Sequence, residues 1–196
     1  MSAARQRQAR SASAPEPGQA LPALSAEQLA GVLTLIKGAD SVELKLSVPD
    51  AARRSAVTAL GMDPLEAQIR QVVFFDTPDL ELNRRGVVVR ARRVQRKPGD
   101  SVVKLRPVIP DELPLELRKS PGFSVEVDAM PGGFVCSASM KSEAPDAAVT
   151  EVLAGRLPLR KILSKNQWAF LTANAPSGVQ LDGLAALGPI NVLKLK

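Results

Sequence analysis

Val87-Val88-Val89-Arg90-Ala91-Arg92-Arg93-Val94 is the stretch that decides the fold. Its alternation puts Val87, Val89, Ala91 and Arg93 on one side and Val88, Arg90, Arg92 and Val94 on the other, which is strand period. One side carries two guanidinium groups spaced two residues apart. Beyond it, Lys97-Pro98-Gly99-Asp100 reads as a turn, and residues 101–107 read as the next strand, with Lys104 and Arg106 on a common face. Upstream, residues 69–75 read as a strand running into Asp76-Thr77-Pro78-Asp79, where Asp76 is first of all a turn-former.

The same pattern continues outward. In residues 41–48, Val42, Leu44, Leu46 and Val48 alternate with Ser41, Glu43, Lys45 and Ser47, and residues 123–130 place Ser124, Glu126 and Asp128 together. Successive short strands with tight turns predict an α+β chain built on an antiparallel sheet or barrel. Helices flank it. Ser25 with Gln28 forms a capping-box pattern ahead of Leu29, Val32, Leu33 and Ile36. Residues 50–60 read as a short helix capped by Asp50 and stopped at Gly61. Residues 146–154 and 164–173 are further helices, the second opened by Ser164, and residues 190–196 are strand-like. Pro15, Pro17, Gly18 and Pro22 divide a basic, disordered tail (residues 1–24) from one domain (residues 25–196). The Arg-, Ala- and Ser-rich start of that tail has a composition that a transit peptide would share.

Composition narrows the chemistry. The chain has 196 residues, and 26 Lys+Arg against 20 Asp+Glu give a formal charge of +6, which favours polyanionic partners. There is no histidine, which excludes Ser/His/Asp and Cys/His nucleophilic schemes, imidazole ligation and imidazole acid–base work. Any metal would be a hard ion held by Asp and Glu oxygens, such as Mg2+ or Mn2+. Cys136 is the single cysteine and is expected to be a small, partly buried residue; a reducing cytoplasm is the simplest location. No apolar stretch approaches the ~20 residues that cross a bilayer, so no membrane partner is expected. Trp168 reads as core, and with no tyrosine and few aromatic residues a nucleic-acid stacking surface is disfavoured.

Four strands each present two polar groups at a spacing of two: Glu43 and Lys45, Arg90 and Arg92, Lys104 and Arg106, Glu126 and Asp128. On an open sheet this would be a solvated face; in a closed barrel it would line a lumen. Guanidinium groups grip phosphate oxygens bidentately and ammonium groups act as point charges. Carboxylates beside phosphate become sensible when a divalent cation sits between them.

These residues carry a family resemblance. Ser41-Val42-Glu43-Leu44-Lys45 resembles the E-x-E-x-K strand of the CYTH or triphosphate-tunnel superfamily, which includes inorganic and thiamine triphosphatases, class IV adenylate cyclases and RNA triphosphatases. Phe74-Phe75-Asp76-Thr77-Pro78-Asp79 is similar to its Y-Y-D-T-P-D segment, and Val89-Arg90-Ala91-Arg92 to its L-R-I-R strand. Val103-Lys104-Leu105-Arg106 and Ser124-Val125-Glu126-Val127-Asp128 are similar to the lysine-bearing and acidic strands that follow. The resemblance implies a tunnel in which Lys45, Arg90, Arg92, Lys104 and Arg106 bind the phosphate chain. It also implies that Glu43 and Glu126 lead the Mg2+ or Mn2+ side, with Glu43 and Lys45 closest to the chemistry.

Two departures follow from the same comparison. Ser41 stands where the family has its first Glu, and the chain ends at Leu193-Lys194-Leu195-Lys196, where the resemblance expects further strands. A barrel of about eight strands does not close with fewer unless a second chain supplies the edge, so a homodimer is one expectation. The function expected is a metal-dependent triphosphatase acting on inorganic or organic triphosphate. The alternatives are a cyclase-like activity, a non-catalytic binder of triphosphate or polyphosphate, and, last, a basic nucleic-acid module.

Overall fold

A computed structural model describes residues 25–131 and 133–195, so the tail expected over residues 1–24 lies outside the described residues, as does the Gln28 side chain of the capping-box reading. In chain order the elements are α1 (Ala26–Lys37), β1 (Ser41–Leu44), α2 (Arg53–Ala59), β2 (Gln68–Asp76), α3 (Glu81–Arg84), β3 (Val87–Val94), β4 (Lys97–Leu105), α4 (Leu115–Arg118), β5 (Phe123–Met130), β6 (Gly133–Ala144), α5 (Asp146–Leu153), α6 (Lys165–Asn174) and β7 (Ala185–Lys194). The strands form one sheet in the order β1-β5-β6-β4-β3-β2-β7. Every pairing is antiparallel except β1 with β5, which is parallel. The α+β class and mostly antiparallel sheet are as expected. The sheet stays open, with β1 and β7 as its two edges.

The valine-rich side of β3 decides which face is the core. Val87, Val89 and Ala91 are buried with Val73, Phe75, Val103, Ala138 and Met140, against Val149 and Val152 of α5 and Phe170 and Leu171 of α6. A register slip of one residue would send Arg90 and Arg92 into this layer, so apolar burial fixes which face the guanidinium groups occupy. Gln167 fastens α6 to the sheet. It is fully buried; its Nε2 donates to the carbonyls of Ser101 (2.9 Å) and Met140 (3.0 Å), and its Oε1 accepts from Ser164 N (2.8 Å) and Ser101 Oγ (3.1 Å). Gln167→Ala removes these four hydrogen bonds from a fully buried position and is expected to destabilise the fold by about 3 kcal/mol, read as a lowered urea midpoint.

Several expectations are corrected. The turn read at residues 97–100 belongs to β4; the reversal falls two residues earlier, because Val94 pairs with Lys97 and Arg96 takes φ 58°. Gly99 sits where a Cβ would meet Arg92 O at 2.6 Å and Ala144 O at 2.9 Å, so its role is close approach within the sheet. Residues 41–48 form a strand only to Leu44, since the β5 ladder they pair with stops at Ala129. Val42 and Leu44 within the strand are exposed, as are Leu46 and Val48 beyond it. Helix α1 forms, but Leu29, Leu33 and Ile36 are exposed, and Leu35 is the residue that meets the smaller cluster of Val125, Val127 and Cys136. Asp50 pairs with Arg53 instead of capping a helix. Strand β6, unread in the sequence, is the longest strand.

Candidate functional site

The face opposite the core collects the charged residues. Parallel pairing of β1 with β5 sets Ser41 beside Glu126 and Glu43 beside Asp128. One carboxylate oxygen from each of Glu43, Glu126 and Asp128 then lies within 4.8 Å of the others. Two ammonium groups are threaded among them. Lys45 Nζ lies 3.2 Å from Glu43 Oε2 and 2.7 Å from Asp128 Oδ1, and Lys104 Nζ lies 2.9 Å from Glu126 Oε2 and 3.6 Å from Asp128 Oδ2. Asp128 is only 1% exposed, so it shares two cations in a nearly dry position. Burial pulls the Lys45 pKa down, but its hydrogen bonds and charge interactions with Asp128 and Glu43 outweigh that and raise it above the usual value.

Guanidinium groups lie on the neighbouring strands. Arg92 is held by Asp100, its Nε at 3.0 Å from Oδ2 and 3.2 Å from Oδ1, with a second contact from Nη2. Arg90, two residues away, has a buried Nε with no acceptor among the described residues. Burial first, and the charge of Arg92 second, push the Arg90 pKa below its ordinary value, and the same two causes act on Arg70 of β2. Guanidinium groups stay protonated regardless, so these directions describe cations confined together where an anion would be welcome.

Of the residues expected from sequence, Glu43, Lys45, Lys104 and Glu126 meet in one cluster, and Arg90 and Arg92 share the adjoining stretch of the face. Arg106 does not join them: it lies one residue past β4 and is exposed. Asp128 was placed with Glu126 by its spacing but left out of the metal pair, and the structure puts it at the centre. Arg70 was missed, although its parity with Phe74 and Asp76 in β2 was readable. Asp100 was hidden by the turn reading. Asp76 is the turn-former expected: Oδ1 accepts from Thr77 N (2.7 Å) and Leu82 N (2.9 Å), and Oδ2 from Asn83 N (3.0 Å), which fixes α3 at the end of the sheet.

The donor set fits a hard divalent ion. Glu43, Glu126 and Asp128 offer only carboxylate oxygens, and the ammonium groups between them show that the cluster holds positive charge at short range. Among the described residues no helix is long and apolar enough to cross a membrane.

No family model matches the sequence, and no curated protein matches it significantly. Solved structures do. A candidate adenylyl cyclase from Hippeastrum, described as having a dominant triphosphatase activity, superposes with a TM-score of 0.51 at 19% identity, over 76% of this chain and 61% of that one. A candidate adenylate cyclase from Bacillus halodurans gives 0.49 at 11% identity, over 74% of this chain and 60% of that one. The chain therefore spans about three fifths of the length of each. The likeness to the Hippeastrum structure is one of fold, and it agrees with the α+β, mostly antiparallel CYTH-like sheet expected from the sequence, here open and not closed into a tunnel.

Proposed function

We propose that this face binds a triphosphate compound together with a divalent ion, Mg2+ or Mn2+, and hydrolyses the terminal phosphoryl group, in the cytoplasm. The observation that carries the reading is the adjacency of two halves of opposite charge: a three-carboxylate cluster within 4.8 Å, whose Glu126 is near enough to the Arg90 guanidinium on the neighbouring basic stretch to favour its charge. Glu43, Glu126 and Asp128 would hold the ion, which when bound supplies charge neutralisation at the phosphoryl group and lowers the pKa of water. Arg90, with its unserved Nε, grips phosphate oxygens; Arg92, kept in place by Asp100, adds charge from behind. Lys45 and Lys104, paired with the same carboxylates, would place positive charge next to the ion for the terminal phosphate to meet. Such chemistry depends on positioning and charge rather than on a strong base, which suits a chain without histidine.

A second reading, a binder that has lost turnover, is favoured by Ser41, which puts a neutral hydroxyl beside Glu126 where the resemblance expects a carboxylate. The binding step common to both is tested by calorimetry of tripolyphosphate with and without Mg2+. Binding that requires the ion supports the proposal. Binding indifferent to Mg2+ and collapsing steeply with salt would instead describe a nucleic-acid type of surface.

A further inference from the structure

Polarity is sorted across this face of the sheet. The acidic cluster stands on β1 and β5, Lys104 and Asp100 on β4, and Arg90 and Arg92 on β3; beyond them the face turns apolar at Phe74 of β2 and Leu187 of β7, while Arg70 keeps the other end of β2 basic. Register makes the junction tight: Phe74 pairs with Arg90 on one side and with Leu187 on the other, and Val88 pairs with Lys104. Directly paired positions lie about 5 Å apart. Phe74, Val88 and Leu187 line a cavity of about 170 Å³, with Leu80 and Asn83 of the α3 region also on its wall. The α3 region is itself fixed by the three backbone hydrogen bonds to Asp76.

An inorganic triphosphate has no use for such a cavity. A triphosphate monoester does, because it carries its charge at one end and a ring at the other, in the order in which this face changes from acidic through basic to apolar. Size selects further. An enclosed apolar cavity of about 150 Å³ accommodates one benzene ring, so 170 Å³ open to solvent has room for a single heteroaromatic ring and covers a smaller share of a fused purine. The Asn83 amide offers a donor and an acceptor to the polar edge of such a ring.

Resting on the triphosphate reading above, we infer that the Phe74–Val88–Leu187 cavity is the subsite for a single-ring organic group, and that the substrate class is a monocyclic heteroaromatic triphosphate ester, of the pyrimidine nucleotide kind. The ester linkage then spans from the cavity to the phosphates at Arg90 and Lys104, and the terminal phosphate reaches the carboxylates.

The test is calorimetry in Mg2+ with CTP, ATP and tripolyphosphate, on the unaltered protein, on Val88→Phe, which fills the cavity, and on Asn83→Ala, an exposed change that leaves packing alone. CTP is expected to bind at least 10-fold more tightly than tripolyphosphate and more tightly than ATP. Val88→Phe should remove most of the CTP advantage while leaving tripolyphosphate affinity within about 2-fold, and Asn83→Ala should weaken CTP alone. Equal affinity for CTP and tripolyphosphate in the unaltered protein overturns the subsite and spares the triphosphate site. So does an equal loss of both ligands in Asn83→Ala. Failure of all three ligands to bind overturns both.

Discussion

Arg90→Ala is expected to lower metal-dependent triphosphate turnover by about 100- to 1,000-fold with little change in thermal stability. Hydrogen bonds to charged groups contribute about 1.5–3 kcal/mol each, and a bidentate grip makes two; taking each near the low end of that range, about 1.5–2 kcal/mol, the loss is about 3–4 kcal/mol, with 1.36 kcal/mol for each factor of ten. Stability should hold because Arg90 has no carboxylate partner among the described residues, its Nε is unserved, and burial together with Arg92 already disfavours its charge. Arg90→Lys should recover little, since a point charge cannot reproduce the fork. Arg92→Ala is the contrasting case: it leaves the buried carboxylate of Asp100 with only the longer contact to Lys141 at 3.7 Å, so its effect on activity should come with a loss of stability. Initial rates and thermal melts on the three variants separate the two arginines.

Asp128→Asn is the second large effect. The cluster holds three carboxylates against two ammonium groups, and the excess negative charge is what draws a divalent cation. Substituting the isosteric amide brings three minus charges down to two, balanced by Lys45 and Lys104. Divalent-ion affinity should fall at least 100-fold, more than the loss usual for a residue behind the ligands, and turnover should fall with it. Because Asp128 is 1% exposed but Lys45 is 40% exposed, the stability cost of the broken pairs should be moderate, about 2 kcal/mol. Glu126→Gln, at a position 28% exposed, should lose ion affinity with a smaller cost to the fold and so guards against reading misfolding as lost binding. Mn2+ titration followed by paramagnetic broadening reads the ion directly.

Most of this site was legible because strand alternation is a strong signal wherever one face must be apolar. The valines of β3 fixed the parity of Arg90 and Arg92, and Val125 and Val127 did the same for Glu126 and Asp128. What could not be read was pairing. Nothing local in residues 41–48 says that this strand runs parallel to β5, yet that pairing places Glu43 beside Asp128 and makes Asp128 the centre of the cluster. Turn chemistry misled at Pro98-Gly99, where the glycine serves backbone contact with Arg92 and Ala144 within the sheet. That hid Asp100 and its hold on Arg92. Arg106 shows the limit of a spacing rule, which assumes that the strand continues; β4 ends at Leu105. The apolar face of α1 was real as a pattern, but its burial depends on neighbours that local sequence does not name.

Phosphate release from CTP, thiamine triphosphate and tripolyphosphate, with Mg2+ or Mn2+ and with chelator, tests the central claim most directly. The account predicts release that requires the ion and disappears in Asp128→Asn and Arg90→Ala. Release that persists in chelator, or in both variants, would place the chemistry elsewhere in the molecule and contradict it.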